Sequence, residues 1–92
     1  MDLERDVEQR LVRKVEELSG LCIKAGQDGW PDRIVMLPGG VLVWVELKRK
    51  TGRLSDLQQY RRAQLESVGQ KVQYLWSVDA VDGFIDGLTE VR

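Results

Sequence analysis

Residues 31–48 read PDRIVMLPGGVLVWVELK, and this stretch decides the fold. Two apolar runs, Ile34–Leu37 and Val41–Leu47, are separated by Pro-Gly-Gly at 38–40, which favours a tight turn between antiparallel strands. The second run is almost continuously apolar, as expected for a central strand that is covered on both faces. The stretch therefore predicts a hairpin whose second strand lies inside a sheet.

Apolar periodicity on either side of this hairpin predicts the remaining elements. A stripe of apolar residues at intervals of three or four, beginning at Leu3, is typical of an amphipathic helix with Asp2 as its cap and Gly20 at its end. Ser55 and Gln58 form a capping-box pattern that starts a second helix. The predicted elements are a helix at 2–19, strands at 21–25, 34–37 and 41–47, a helix at 55–68, a strand at 71–77, and a last helix that begins near Ser77 or Asp79. This order, α-β-β-β-α-β-α, describes an α/β fold in which a mixed sheet of about four strands is flanked by helices.

Length and composition limit the possible chemistry. The 92 residues support one domain, which spans 1–92. The chain has no histidine and a single cysteine, Cys22, so histidine-dependent catalysis, zinc sites of histidine or cysteine, and internal disulfides are excluded. We expect Cys22 to be a small core residue. The site must then depend on carboxylates, Lys, Arg, Tyr, Gln or Ser. Carboxylates without imidazole or thiolate suit a hard cation such as Mg²⁺ or Mn²⁺, and we expect no organic cofactor.

The hydropathy of the chain bears on its location. No apolar run approaches the roughly 20 residues that a membrane span needs. The N-terminal sequence MDLERDVEQR is charged where a signal peptide needs an apolar run. We therefore expect an intracellular location and no membrane partner.

The polar residues of the hairpin supply candidate chemistry. Glu46 and Lys48 lie on one face at the end of the second strand, because residues i and i+2 of a strand point the same way. Asp32 enters the first strand opposite that end, so its carboxylate can meet that of Glu46. Two close carboxylates repel unless a cation lies between them, and the carbonyl of Leu47 offers a further oxygen ligand. The hairpin thus predicts a Mg²⁺ or Mn²⁺ site at Asp32 and Glu46, with Lys48 acting on an attacking water.

These residues resemble the signature of a known group of nucleases. Pro31-Asp32 followed by Glu46-Leu47-Lys48 is similar to the motif of the PD-(D/E)XK superfamily, and the context is most similar to its VRR-NUC branch. There a glutamate on an N-terminal helix and a Gly-x-Pro-Asp turn precede the Glu-x-Lys strand, and a helix with an early glutamine follows. The corresponding residues are Glu8, Gly29-Trp30-Pro31-Asp32, Glu46-Leu47-Lys48 and Gln58. The resemblance implies a PD-(D/E)XK nuclease-like fold, phosphodiester cleavage with Mg²⁺ or Mn²⁺, Glu8 as a further metal ligand, Gln58 as a catalytic residue, and a homodimer.

The distribution of charge favours DNA as the partner. The net charge of the whole chain is −1, but residues 46–71 carry a net charge of +4. A basic segment can face phosphates while the acidic ends of the chain face away. The candidate DNA-binding residues are Lys24, Arg49, Lys50, Arg53, Arg61 and Arg62. By analogy with stand-alone members in bacteria and phages, we expect the chain to act on branched DNA, such as a four-way junction, in a bacterial or phage-infected cytoplasm.

Several alternatives stay open at this stage. A non-catalytic DNA-binding module, or a protein-interaction subunit, could keep the same fold, whereas a carboxylate hydrolase acting on neutral sugars fits the basic loop poorly. Glu4, one helical turn before Glu8, competes with it as a ligand. Trp30 could be a core residue, a dimer contact or a stacking platform for a base.

Overall fold

The computed structural model describes residues 2–48 and 52–90. Its elements, in chain order, are α1 (Glu4–Glu17), β1 (Leu21–Lys24), β2 (Arg33–Leu37), β3 (Val41–Leu47), α2 (Asp56–Ser67), β4 (Val72–Leu75) and α3 (Val78–Thr89). The predicted α/β order is confirmed. Two candidate DNA-binding residues, Arg49 and Lys50, lie outside the described residues.

The four strands form one mixed sheet in the order β1-β2-β3-β4. β1 and β2, and β2 and β3, pair antiparallel, while β3 and β4 pair parallel. The Pro-Gly-Gly turn makes the predicted hairpin, in which Leu37 pairs with Val41 and Arg33 with Val45. β3 is an interior strand, as its apolar sequence predicted, and it ends between β2 and β4 with Val45, Glu46 and Leu47 all buried.

One face of the sheet carries the core. Odd-numbered residues of β2 and β3 point to this face, because side chains alternate along a strand. They pack with α1 and α3 in a single cluster, which contains Val7, Leu11, Val15, Val35, Leu37, Val43, Val45, Leu47, Leu75, Val81 and Ile85. The apolar stripe of the first helix is thus its buried face, with Val7, Leu11 and Val15 fully buried.

The opposite face is covered less completely. α2 lies over its β3–β4 side, where Gln58 contacts Glu46 and the guanidinium of Arg62 stacks 4.7 Å from the ring centroid of Tyr74. Leu65 is the only buried residue of α2. A row of apolar side chains that pair across β1, β2 and β3 is left partly open, and Leu21 and Leu42 at its ends are 60% and 39% exposed. The row consists of Leu21, Met36 and Leu42.

Two local expectations are wrong. α1 is capped at Leu3, whose N–H donates to the Asp6 carboxylate at 3.1 Å, instead of at Asp2. The carboxylate of Asp2 accepts instead the N–H of Val78 at 2.9 Å, at the start of α3. β4 also ends at Leu75, short of the predicted limit at 77, and leaves Trp76 36% exposed.

The described residues also bear on membrane association. Within residues 2–48 and 52–90, no helix has the length and apolar character that crossing a membrane requires.

Candidate active site

Glu46 is the centre of the candidate site. The residue is 3% exposed and lies at the end of β3, on the face that α2 covers. Asp32 is one residue beyond the Arg33–Val45 pair of the hairpin, so it lies opposite Glu46, as the sequence predicted. A buried carboxylate in an otherwise apolar strand is costly unless a partner compensates for its lost hydration.

The pKa of Glu46 reflects this position. The pKa of the Glu46 carboxyl is raised from 4.5 to about 8, first by burial and then by the negative charge of Asp32, while the Lys48 ammonium opposes the rise. Glu46 also shares a hydrogen bond with Asp32, which favours the protonated form. At neutral pH and without a metal, the pair therefore holds a proton that a divalent cation would displace.

Asp32 is held rigidly by backbone contacts. Its Oδ2 accepts the N–H of Leu47 at 2.8 Å, and its carbonyl accepts the N–H of Ala25 at 2.8 Å. Gly26 allows this close approach, because a Cβ at that position would lie 3.2 Å from Oδ1 of Asp32. The carboxylate of Asp32 is thus held by β3, and its backbone is held by Ala25, just after β1.

Lys48 lies on the same side as Glu46. Its Nζ is 3.9 Å from Oε2 of Glu46, and its side chain is 18% exposed. The backbone N–H of Lys48 donates to the carbonyl of Leu75 at 3.0 Å, which continues the parallel pairing of β3 and β4 beyond the last strand residue. This pairing holds the backbone of Lys48, from which its ammonium group reaches Glu46.

Gln58 joins the start of α2 to Glu46. Its Oε1 accepts the N–H of Ser55 at 2.9 Å, while its own N–H donates to Oγ of Ser55 at 3.1 Å, so the predicted capping box is present. The Nε2 of the same amide donates to Oε2 of Glu46 at 2.9 Å. The cap fixes the amide orientation, and Gln58 therefore presents a donor to the buried carboxylate.

A cavity of about 360 Å³ opens beside this pair. Its wall includes Glu4, Glu8, Lys24, Asp32 and Leu47. Both α1 glutamates that the sequence offered thus face the cavity, together with the exposed Lys24.

Glu8 has a partner that the sequence analysis missed. The Nε of Arg33 donates to Oε2 of Glu8 at 2.8 Å, and its Nη1 donates to the carbonyl of Cys22 at 3.0 Å. A signal was present: Arg33 shares the buried face of β2 with Val35 and Leu37, and a charge at such a position needs a partner. Across residues 2–48 and 52–90, no three acidic or cysteine side chains are already gathered at the spacing of a metal site. The structure thus brings Asp32 and Glu46 together and keeps Glu8 with Arg33.

The basic residues of α2 are partly engaged within the protein. The Nε of Arg61 donates to the carbonyl of Asp28 at 3.2 Å, and that of Arg62 donates to Oε2 of Glu66 at 3.2 Å. Arg53 and Lys24 are exposed. Among the described candidates for DNA contact, these last two are the more accessible cations.

Trp30 links three parts of the molecule. Its ring lies 6.3 Å from that of Trp44, centroid to centroid, and the guanidinium of Arg61 stacks 4.6 Å above it. Trp30 thereby fixes the turn before Asp32 against β3 and α2. Of its three interpretations, these contacts favour the packing role.

The donor set fits a divalent cation. Asp32, just before β2, and Glu46, in β3, offer carboxylate oxygens beside each other, and Leu47 lines the adjoining cavity. Hard cations such as Mg²⁺ and Mn²⁺ prefer carboxylate and carbonyl oxygens.

Comparison with known proteins places this geometry in a family. No family model matches the chain. The phage protein "Putative nuclease p44", from Acyrthosiphon pisum secondary endosymbiont phage 1, is 34% identical over 79 residues, which cover 83% of this chain and 85% of the relative. A solved structure described as "VRR_NUC domain" superposes with a TM-score of 0.83 at 30% identity, over 90% of this chain and 94% of that one. The chain belongs to the VRR-NUC family of nuclease domains and has an α/β fold of the PD-(D/E)XK type.

Proposed function

We propose that the chain is a Mg²⁺- or Mn²⁺-dependent endonuclease that hydrolyses DNA phosphodiester bonds, acts on branched DNA as a homodimer, and works inside the cell. The observation that carries this proposal is the buried Glu46 beside Asp32, with the Lys48 ammonium 3.9 Å away. If Glu46 and Lys48 formed an ion pair with only a structural role, Asp32 would not be needed beside them as a second carboxylate.

In this proposal Asp32, Glu46, Glu8 and the carbonyl of Leu47 hold the metal. When bound, a divalent cation lowers the pKa of water and neutralises charge on the phosphate. Burial of Glu46 serves the same end, because a carboxylate with few water contacts gains more from a cation than a hydrated one does.

Lys48 and Gln58 complete the proposed site. The ammonium of Lys48 can donate to the attacking water and to the phosphate oxygens as negative charge develops on them. Gln58 holds the Glu46 carboxylate through its Nε2 contact of 2.9 Å, so that Glu46 keeps one orientation. We assign catalysis to Asp32, Glu46 and Lys48, with Gln58 in support.

The proposed partners follow from charge and surface. The candidate DNA-binding residues supply the phosphate contacts, and binding should weaken as salt is added. They are Lys24, Arg49, Lys50, Arg53, Arg61 and Arg62. The open apolar row of Leu21, Met36 and Leu42 supports a second copy of the chain as the partner, since a twofold dimer can bury one patch against itself.

A cleavage assay with matched lysine variants tests the enzyme. Linear, nicked, flapped and four-way DNA are incubated with Mg²⁺ or Mn²⁺. We expect Lys48→Ala to lose cleavage by at least about 100-fold while DNA affinity survives, because general acid–base groups contribute factors of this size. Lys71→Ala, an exposed lysine at the other end of the sheet, is the control and should cleave normally. Equal cleavage by both variants would contradict the proposal.

A second candidate function is a non-catalytic DNA-binding or protein-interaction module. The ion pair between Glu8 and Arg33 favours it, because the charge of this proposed metal ligand is already balanced by an arginine. A titration with Mn²⁺, followed by thermal unfolding, separates the two. The enzyme should be stabilised by Mn²⁺, and Glu46→Ala should abolish that stabilisation. A module without a metal site should show no shift in either protein.

A further inference from the structure

Arg33 is a charged residue beside the candidate site to which the proposed reaction assigns no role. Its side chain is 16% exposed and points to the core face of β2. Two contacts fix it, one to the carbonyl of Cys22 on β1 and one to Glu8 on α1. The guanidinium therefore joins the edge strand to the first helix at the cavity that Asp32 lines.

The contact with Glu8 is made through a single oxygen. Nε of Arg33 reaches Oε2 of Glu8 at 2.8 Å, while Nη1 is directed to Cys22. A carboxylate has two oxygens and about four acceptor positions, so this contact leaves Glu8 with capacity for a second cation. Glu8 also lines the cavity, with 28% of its side chain exposed.

We propose that Arg33 is a positioning residue for the candidate metal site: it holds the Glu8 carboxylate at the cavity wall so that its remaining oxygen is available to a divalent cation. This inference depends on the proposed metal-dependent function. Carboxylate ligands are commonly held by a hydrogen-bond donor outside the coordination shell, and loss of such a donor costs about 10- to 100-fold in metal affinity. Without Arg33, Glu8 on its flexible stem would sample several rotamers, and ordering it would oppose binding.

Arg33 also has an electrostatic effect on metal affinity that opposes its positioning of Glu8, and the test has to separate the two effects. A positive charge near the cavity disfavours a cation, so removing the charge would raise the affinity whatever Glu8 does. Arg33→Lys avoids this ambiguity, because lysine keeps the charge but lacks the planar fork that reaches both Glu8 and Cys22.

The test measures Mn²⁺ affinity by calorimetry in the absence of DNA. We expect Arg33→Lys to weaken Mn²⁺ binding about 10-fold in the otherwise native chain. In a Glu8→Gln background the same substitution should change the affinity little, because the carboxylate that Arg33 positions is gone. Arg10→Lys is the control: Arg10 contacts both oxygens of Asp82 at 2.9 and 2.8 Å, between α1 and α3, and its replacement should leave Mn²⁺ affinity unchanged.

Each other outcome overturns the inference. If Arg33→Lys binds Mn²⁺ with the native affinity but the metal-free variant unfolds at a different temperature, Arg33 has only a structural role. A tenfold loss that persists in the Glu8→Gln background would mean that Arg33 acts through another group. If the native chain binds no Mn²⁺, the metal-dependent function fails together with this inference. If Glu46→Gln weakens Mn²⁺ binding and Arg33→Lys does not, only the inference about Arg33 is overturned.

Discussion

At the scale of the residue, the site depends on one carboxyl group that folding places where it is costly. Glu46 follows a run of apolar residues in β3, and the strand pairing on both sides leaves it 3% exposed. Burial, the charge of Asp32 and their shared hydrogen bond all favour its protonated form. In the proposed metal site, a divalent cation would have to displace this proton before both carboxylates could bind it.

This pKa predicts how stability depends on pH. The folded protein binds a proton at Glu46 with a pKa of about 8, against an ordinary value of 4.5, so folding favours the protonated form. The resulting stabilisation is complete below pH 4.5 and is lost as the pH rises through 8. We expect the metal-free protein to become less stable between pH 5 and pH 8, with a slope of at most about 1.4 kcal/mol per pH unit from this group.

The isosteric variant Glu46→Gln tests the assignment. Glutamine cannot ionise and can still accept the hydrogen bond from Gln58. Its midpoint of thermal unfolding in EDTA should vary less with pH than that of the native chain, and it should exceed the native value at pH 8 by several degrees. Glu90→Gln, at an exposed position after α3, is the control and should follow the native profile. If the unfolding midpoint of Glu46→Gln depends on pH as steeply as that of the native chain, the raised pKa of Glu46 is refuted.

At the scale of the element, the turn before Asp32 determines how α2 meets the sheet. Gly29 has φ of +80°, and a Cβ there would collide with the side chain of Leu57 and lie 3.2 Å from its carbonyl carbon. The turn and the first turn of α2 are therefore in direct contact. Because Gln58 follows Leu57, this contact also sets the distance from α2 to Glu46.

A pair of glycine variants separates backbone strain from this contact. Gly39, in the hairpin turn, has φ of +93° and no atom within 4 Å of an added Cβ. Gly39→Ala should cost only the conformational penalty of a left-handed residue, about 1–2 kcal/mol. Gly29→Ala should cost more than this in urea unfolding, because the overlap with Leu57 adds to the strain.

Cleavage provides the second readout of the glycine pair. Gly29→Ala should also lower DNA cleavage under conditions in which it is folded, whereas Gly39→Ala should cleave normally. Equal losses of stability in the two variants would show that the contact between Gly29 and Leu57 contributes nothing.

The elements also show what a sequence can predict. The hairpin, the order of elements and the capping box at Ser55 all follow from local patterns, and so does the meeting of Asp32 with Glu46. The start of α1 does not, because Asp2 contacts Val78, and a partner 76 positions away leaves no local signal. The contact between Arg33 and Glu8 is predictable only in part. The alternation of β2 places the arginine on the buried face, but its partner depends on how α1 packs against the sheet.

At the scale of the whole molecule, the unequal covering of the sheet is the main feature. α1 and α3 bury one face in a continuous core, whereas α2 covers only the β3–β4 side of the other face. An antiparallel sheet can leave one face in water, but that face is then normally polar, whereas here it carries exposed apolar side chains. The open row of Leu21, Met36 and Leu42 is therefore the surface at which we expect a second copy to bind.

The proposed dimer gives the last prediction. In a twofold interface each row meets its own counterpart, so a charge placed in it appears twice, and the two charges are desolvated and repel each other. Leu21→Lys and Leu42→Lys should each shift the protein from dimer to monomer in light scattering coupled to size-exclusion chromatography. Leu3→Lys is the control, because Leu3 is 44% exposed at the start of α1, on the opposite face of the sheet, and its replacement should leave the dimer intact. If dimers persist in both row variants, or if the native chain is monomeric at micromolar concentration, the row is not a dimer interface. Symmetric cutting of a four-way junction would then need two separate binding events, and its rate would depend on the square of the protein concentration.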